Sequence, residues 1–332
     1  MKRFLGLFAA TVALGFAQTP TPVTKPTRPV AEIEHVVVIG IDGLRPDRLL
    51  LADTPVLHGL MRTGTYSMWM RTTALAVTLP SFTSMMTGVN PRKHGIDWDR
   101  DMPLVAPFYS KTPTVFELAS KVGYVTALAS GKSKFVAMAK PGTVTHEFFP
   151  KVDPALSAAS WAKNDDKTSP EGKAYAAAEK VPDPIVIGEA VKFIESFKPN
   201  FLFVHLPSVD TVGHDKGWGS PEQLAQIAKT DAHVGEILAA LDRAGLREST
   251  IVMISADHGG QGTSHGPDDP RSRYIPWIVN GPGIRKGMDL TQQADLDLRT
   301  EDTCATACWL LGLALPANFD GHPVRQAFVG AP

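Results

Sequence analysis

Cysteine is almost missing from this chain: 332 residues carry two, Cys304 and Cys308. They lie four apart in CATACWLLG, a helical-looking stretch, and that spacing suits disulfide geometry poorly. A disulfide-stapled fold is excluded, two thiols alone make no zinc site, and both read as buried thiols. A basic excess is missing too. Lys plus Arg number 33 against 34 acids, and no basic stripe offers a surface to structural nucleic acid. An anionic substrate must therefore be met by bound cations or a few placed lysines. Beyond the N-terminus no apolar run is long enough to cross a bilayer, so no stable membrane span is expected. Hydrophobic residues at 43% and charged residues at 20% fit an ordinary globule with a sizeable core.

The one apolar run opens the chain. MKRFLGLFAATVALGFAQ has two basic residues, an apolar stretch and Gly-Phe-Ala, the pattern of a secretory signal peptide cleaved after Ala17. A secreted or periplasmic protein is expected. Residues 18–34, rich in Pro and Thr, read as an extended leader. Then HVVVIGIDG, YVTALAS (124–130), FLFVHL (201–206) and IVMISA (251–256) read as strands buried on both faces. The last three each follow a helix-like segment. This alternation predicts an α/β fold with a doubly wound sheet and helices on both faces, within one domain over 35–330. IPWIVNG (275–281) reads as a further strand and EDTCATACWLLGL as a late helix. Residues 141–184 break the rhythm and read as a small insertion near the active site.

Open α/β sheets bind ligands outside the carboxyl ends of their strands. Asp42 follows the first run, Lys132 and Lys134 the second, Asp210 the third, and Asp257 with His258 the fourth. In SVDTVGHDKG, Asp210 and His214 can share one cation, with Gly213 letting the loop fold tightly. SADHGGQGTSHG adds His265. Asp47 is a lesser substitute for Asp42. Three Asp and three His suffice for two divalent cations, and mixed carboxylate–imidazole donors favour zinc, then manganese or iron, over calcium. Metal pairs about 4 Å apart recur in phosphoryl transfer. Thr78 precedes Pro80, which places it at or near the N-cap of a helix over 80–87. Its hydroxyl either caps that helix or binds a cation and becomes a nucleophile, and the two roles are compatible.

IDGLRPD, TLPSFTSMMTG…HGI, DTVGH, SADHGG and SHG, in this order, resemble the alkaline phosphatase superfamily, especially its nucleotide pyrophosphatase/phosphodiesterase branch. The resemblance runs from about residue 35 to 326. It implies that Asp42, Thr78, Asp257 and His258 hold the cation that activates the nucleophile. It implies that Asp210, His214 and His265 hold the cation facing the leaving group. It further implies a metal-dependent hydrolase of phosphodiester or pyrophosphate bonds in small, nucleotide-like substrates, acting through a phospho-Thr78 intermediate. A phosphomonoesterase or phosphonate hydrolase of the same superfamily is the alternative. From other classes come a phosphoethanolamine-type transferase and a non-catalytic, secreted metal-binding protein.

Three departures from the family pattern stand out. Sulfatases of the superfamily need a modified Cys or Ser and an Arg where this chain has Thr78 and Phe82, so a sulfatase is not expected. Asp99, in HGIDWD, stands where phosphodiesterases carry an asparagine that donates to a phosphoryl oxygen. A carboxylate cannot donate unless protonated, so Asp99 is protonated, binds a further cation, or is not the counterpart. Lys132 and Lys134, in GKSKF, resemble a pair that touches terminal phosphoryl or carboxylate oxygens in monoesterase and phosphonate-hydrolase relatives; otherwise they form a solvated basic turn. The Leu79 amide is expected to meet the nonbridging oxygens, because Pro80 has no N–H. His205 reads as a hydrogen-bonded core residue and His94 as the residue that fixes a turn. Trp98, Phe108, Tyr109, Trp161 and Trp218 are candidates for pocket or packing. The insertion is the expected source of leaving-group specificity.

Overall fold

The computed structural model describes residues 26–100, 108–164, 166–293 and 295–330. The signal segment and the first part of the leader lie outside the described residues. Eight strands form one sheet: β1 His35–Ile41, β2 Thr65–Arg71, β3 Thr126–Ser130, β4 His146–Phe148, β5 Phe201–Leu206, β6 Thr250–Ser255, β7 Tyr274–Asn280 and β8 Met288–Asp289, in the order β4-β3-β5-β1-β6-β7-β2-β8. Every residue of β1, β3, β5 and β6 is buried. Successive strand residues face opposite sides, so helices must cover both faces of this part of the sheet.

The four apolar runs are thus the four adjacent central strands, all parallel. β1 lies between β5 and β6, in register from Val36 opposite Phe201 and Ile251. The carboxyl ends of all four therefore meet along one edge. IPWIVNG is a strand as expected, but β7 runs antiparallel to both its neighbours, β6 and β2. The sheet is therefore mixed rather than wholly parallel. The insertion begins as edge strand β4, paired parallel with β3. It continues as the helices Pro154–Ala162 and Pro170–Ala178, which pack on each other.

One glycine locks the helix Thr78–Thr87 onto the sheet. A Cβ at Gly40, in β1, would come 2.3 Å from Cε1 of Phe82. Phe82 sits among Phe135, Phe203 and His205, with ring centroids 5.1–5.5 Å away. The missing side chain lets the helix lie close enough to bring Thr78 over the ends of the strands. Cys304 and Cys308 are both buried and free, on the helix Glu301–Leu310. Among the described residues no helix is long and apolar enough to cross a membrane.

Candidate metal centre and nucleophile

Asp42 is the first residue after β1, and its chain turns at once through Gly43, with φ +71°. The Gly43 amide donates to Asp257 Oδ1 at 3.0 Å, tying the ends of β1 and β6 together. Asp210 and His214 lie one turn apart on the helix Ser208–Lys216, so they share a face by helical spacing rather than through a folded loop. Gly213 serves close packing instead: a Cβ there would meet Gln223 and the Trp218 ring at 2.8 Å. After Asp257 and His258 the chain makes a tight turn closed by Gln261 and Ser264, whose backbones exchange hydrogen bonds of 2.8 and 3.1 Å. That turn returns His265 so that its ring stacks on His258, 3.6 Å between centroids.

The three imidazoles are oriented alike. Nδ1 of His214, His258 and His265 lies 2.9, 2.8 and 2.9 Å from the carbonyls of Thr263, Gly259 and Ala76. A proton on Nδ1 leaves the Nε2 lone pair free, the arrangement that a metal-ligating histidine needs. Each Nε2 faces carboxylates: His258 lies 3.5 Å from Asp42 Oδ1 and 3.2 Å from Asp257 Oδ2, and His214 and His265 lie 3.3 and 3.9 Å from Asp210 Oδ1. The carbonyl that holds His265 belongs to a buried alanine at φ +48°. That left-handed geometry costs a non-glycine residue about 1–2 kcal/mol.

Three carboxylate oxygens in this cluster, Asp42 Oδ1, Asp210 Oδ1 and Asp257 Oδ2, are buried without a hydrogen-bond partner among the described residues. Leaving buried acceptors unpaired is costly. Burial pushes all three carboxyls upward, and repulsion between carboxylates adds to it at Asp42 and Asp257. The Lys132 ammonium lies 2.7 Å from Asp42 and 2.8 Å from Asp210 and brings those two below the ordinary carboxylate range. Asp257 has no such partner and is raised well above it. Burial pushes His258 down to about 4, so its ring stays neutral. Asp210 raises His214 instead, so proton and cation compete there. Unpaired carboxylate oxygens facing free imidazole nitrogens are a donor set that divalent cations fit. The ligand atoms fall into two overlapping groups, Asp210–His214–His265 and Asp42–Asp210–His258. The first is the grouping the resemblance implies; in the second, Asp210 stands where Asp257 is implied.

Thr78 is the first residue of its helix, not the cap. Val77 is the N-cap, and no side chain caps the helix. The Thr78 hydroxyl is buried, 3.4 Å from His258 Nε2. The Leu79 amide, expected to meet substrate, already donates to Asp99 Oδ1 at 2.7 Å. Lys134 donates to the same oxygen at 2.7 Å. Burial pushes the Asp99 carboxyl up, but Lys134, Lys132 and the Leu79 amide outweigh it and hold it below the ordinary carboxylate range. Asp99 is therefore an ionised, ion-paired acceptor, and neither lysine forms a solvated turn.

Thr78, Asp99, Lys132, Lys134, Asp210, His214 and His265 all line one cleft of about 200 Å³. The insertion also lines it, with Ser160, Gly172, Tyr175, Glu179 and Lys180. Trp218 is a support rather than a pocket residue: its indole donates to the Gly43 carbonyl at 2.8 Å, and its ring meets those of His214 and His265 edge-on. Trp98 packs edge-on against Phe108, and the Arg100 guanidinium lies over Trp161. His94 accepts from the Ile96 amide at 3.1 Å, which fixes the turn.

His205 does more than fill the core. Fully buried, it bridges Ser130 Oγ at 3.1 Å and Asp42 Oδ2 at 2.9 Å. Its signal, a lone histidine in an apolar strand, names no partner. A buried group that orients a ligand typically governs metal affinity by about 10–100-fold. The His205→Leu protein is expected to bind zinc more weakly by a factor in that range, as read by competition with a chromophoric chelator.

A mixed sheet carrying two acid–imidazole clusters and a helix-borne threonine at its carboxyl edge defines an alkaline-phosphatase-like α/β protein. The sequence model described as type I phosphodiesterase/nucleotide pyrophosphatase matches residues 36–275, and the chain belongs to that family. It is 26% identical over 238 residues to an uncharacterized pyrophosphatase/phosphodiesterase of Schizosaccharomyces pombe, covering 69% of this chain and 45% of that protein. Human arylsulfatase K is 34% identical over 103 residues, 30% of this chain and 18% of that one. The chain thus spans less than half the length of either relative. Among solved structures, the inactive threonine-to-alanine variant of murine ectonucleotide pyrophosphatase/phosphodiesterase 5 in complex with AMP superposes with a TM-score of 0.67 at 14% identity, over 89% of this chain and 100% of that one. The phosphonate monoester hydrolase of Silicibacter pomeroyi gives 0.60 at 16%, over 90% and 77%. At these identities the likeness is one of fold.

Proposed function

We propose that this protein is a metal-dependent hydrolase of phosphoric esters that works through a covalent phospho-Thr78 intermediate. One observation carries the reading: the Thr78 hydroxyl, free of any capping duty, faces the cluster of unpaired carboxylate oxygens and free imidazole nitrogens. Asp42, Asp257 and His258 would hold one divalent cation and Asp210, His214 and His265 the other, with zinc favoured by the donors. Such cations lower the pKa of a hydroxyl and neutralise charge on a phosphoryl group.

Thr78 Oγ1 forms the new bond to phosphorus as the leaving-group oxygen departs, and water then releases the phosphate and restores the threonine. The N-terminus of the Thr78 helix favours the anion under attack. Lys132 and the Lys134–Asp99 pair set the charge of the wall beside it. Thr78 and Phe82 leave the cleft without the sulfatase residues. The murine structure that holds AMP supports a small nucleotide as substrate. The N-terminal segment would direct export, leaving residues 35–330 as the catalytic domain outside the cytoplasm. The test is hydrolysis of 4-nitrophenyl phosphate and of the nitrophenyl ester of a nucleotide, with zinc. Turnover of the diester at the higher kcat/KM is expected. Faster monoester turnover moves the assignment to a phosphomonoesterase, and hydrolysis of neither overturns the reading.

A further inference from the structure

The insertion ends against the loop after β3. The Ser133 amide donates to the Glu179 carbonyl at 2.8 Å, the Val181 amide donates to the Gly131 carbonyl at 2.9 Å, and Lys132 pairs antiparallel with Lys180. Residues directly opposite in such a pair send their side chains to the same side. Lys180 therefore stands beside Lys132 in the cleft, and Lys132 contacts Asp210. Lys180 shares the cleft with Asp210, His214 and His265, and Asp210 is the carboxylate of the cluster whose charge reaches it.

Four lysines line this cleft; Lys167 is exposed, and the other three differ in their partners. Lys132 is committed to Asp42 and Asp210, and Lys134 to Asp99. Lys180 is half-buried, and among the described residues it forms no ion pair. Burial and the neighbouring Lys132 lower its pKa, and Glu179 and Asp210 only partly offset them from beyond ion-pair distance. A cation in such a place gains most from an anion that arrives with the substrate.

We propose that Lys180 binds an anionic group carried by the leaving group, a phosphate or a carboxylate separate from the phosphoryl under attack. This rests on the phosphoester-hydrolase reading and narrows its substrates to those with a charged leaving group. The readout is the ratio of kcat/KM for ADP, and for 2-phosphoglycolate, to that for phenyl phosphate, whose leaving group carries no separate anionic group. A ratio is insensitive to the fraction of folded enzyme. Lys180→Gln is expected to lower one or both ratios about tenfold, and Lys180→Arg to restore much of the loss. The substrate whose ratio falls tells phosphate from carboxylate. Unchanged ratios for both overturn the proposal.

Failure of the hydrolase reading looks different: the wild-type protein then turns over none of the three and neither nitrophenyl ester. In that event calorimetric binding to the zinc-loaded Thr78→Ala protein decides. Adding Lys180→Gln should weaken ADP or 2-phosphoglycolate relative to phenyl phosphate about tenfold. Equal weakening of all three, or none, overturns the assignment of Lys180.

Discussion

Thr78→Ala is expected to lower kcat/KM for phosphoester hydrolysis by about a thousandfold or more. The substitution leaves the rest of the molecule nearly untouched. The hydroxyl caps nothing, and among the described residues its hydrogen-bond partner is His258 Nε2 at 3.4 Å. Alanine is the better helix former, which offsets part of the small buried volume lost, so stability should change by about 1 kcal/mol or less. Zinc content should also hold, because three protein side chains remain for each proposed cation. Thr78→Ser keeps the oxygen and should retain measurable turnover. Elemental analysis, thermal unfolding and kinetics on the same preparation separate these effects. Wild-type activity in a folded, metal-replete Thr78→Ala protein would remove the covalent mechanism.

Exhaustive chelation should abolish activity and markedly lower the thermal midpoint. The reason is electrostatic: Asp42, Asp210 and Asp257 share one buried space, and Lys132 answers only two of them. A ligand held at a thousand times its dissociation constant adds about 4 kcal/mol to the native state, which for a domain of this size is on the order of 10 °C. Two equivalents of zinc should restore both properties. Retention of both activity and midpoint in a protein shown by elemental analysis to be metal-free would end the metal-site reading.

Much of this was legible before any coordinates. HVVVIGI, FLFVHL and TIVMIS are continuous apolar runs because each strand is buried on both faces, and each is followed within four residues by a carboxylate of the cluster. β2 escaped notice for the converse reason. In TYSMWMR, Trp69 and partly exposed Tyr66 and Arg71 break the run, so neither a core strand nor a clean alternation stands out. The antiparallel course of β7 depends on where the chain returns, which no local pattern records.

At the site, residue types were readable and partners were not. Asp210 and His214 carry helical spacing, yet a polar stretch with a central glycine looks like a loop until Trp218 and Gln223 are seen packed against that glycine. For Asp99 a proton, a further cation and a mismatch with the family asparagine all stayed open, because nothing local pointed to Lys134, 35 residues on. Lys180 had no motif at all, since its place is set by backbone pairing between two distant loops.

That pairing has a consequence for how the molecule can change. The acids and imidazoles come from the segments that follow the central strands, whereas the insertion wall is one excursion of chain anchored at β4 and again at residues 179–181. Between those anchors, sequence can be exchanged with little demand on the chemistry below, as a tool head is swapped on a fixed spindle. Related chains could thus diverge in what they cleave while keeping how they cleave it, and grafting the 150–178 stretch between them is the direct way to move a preference from one to another.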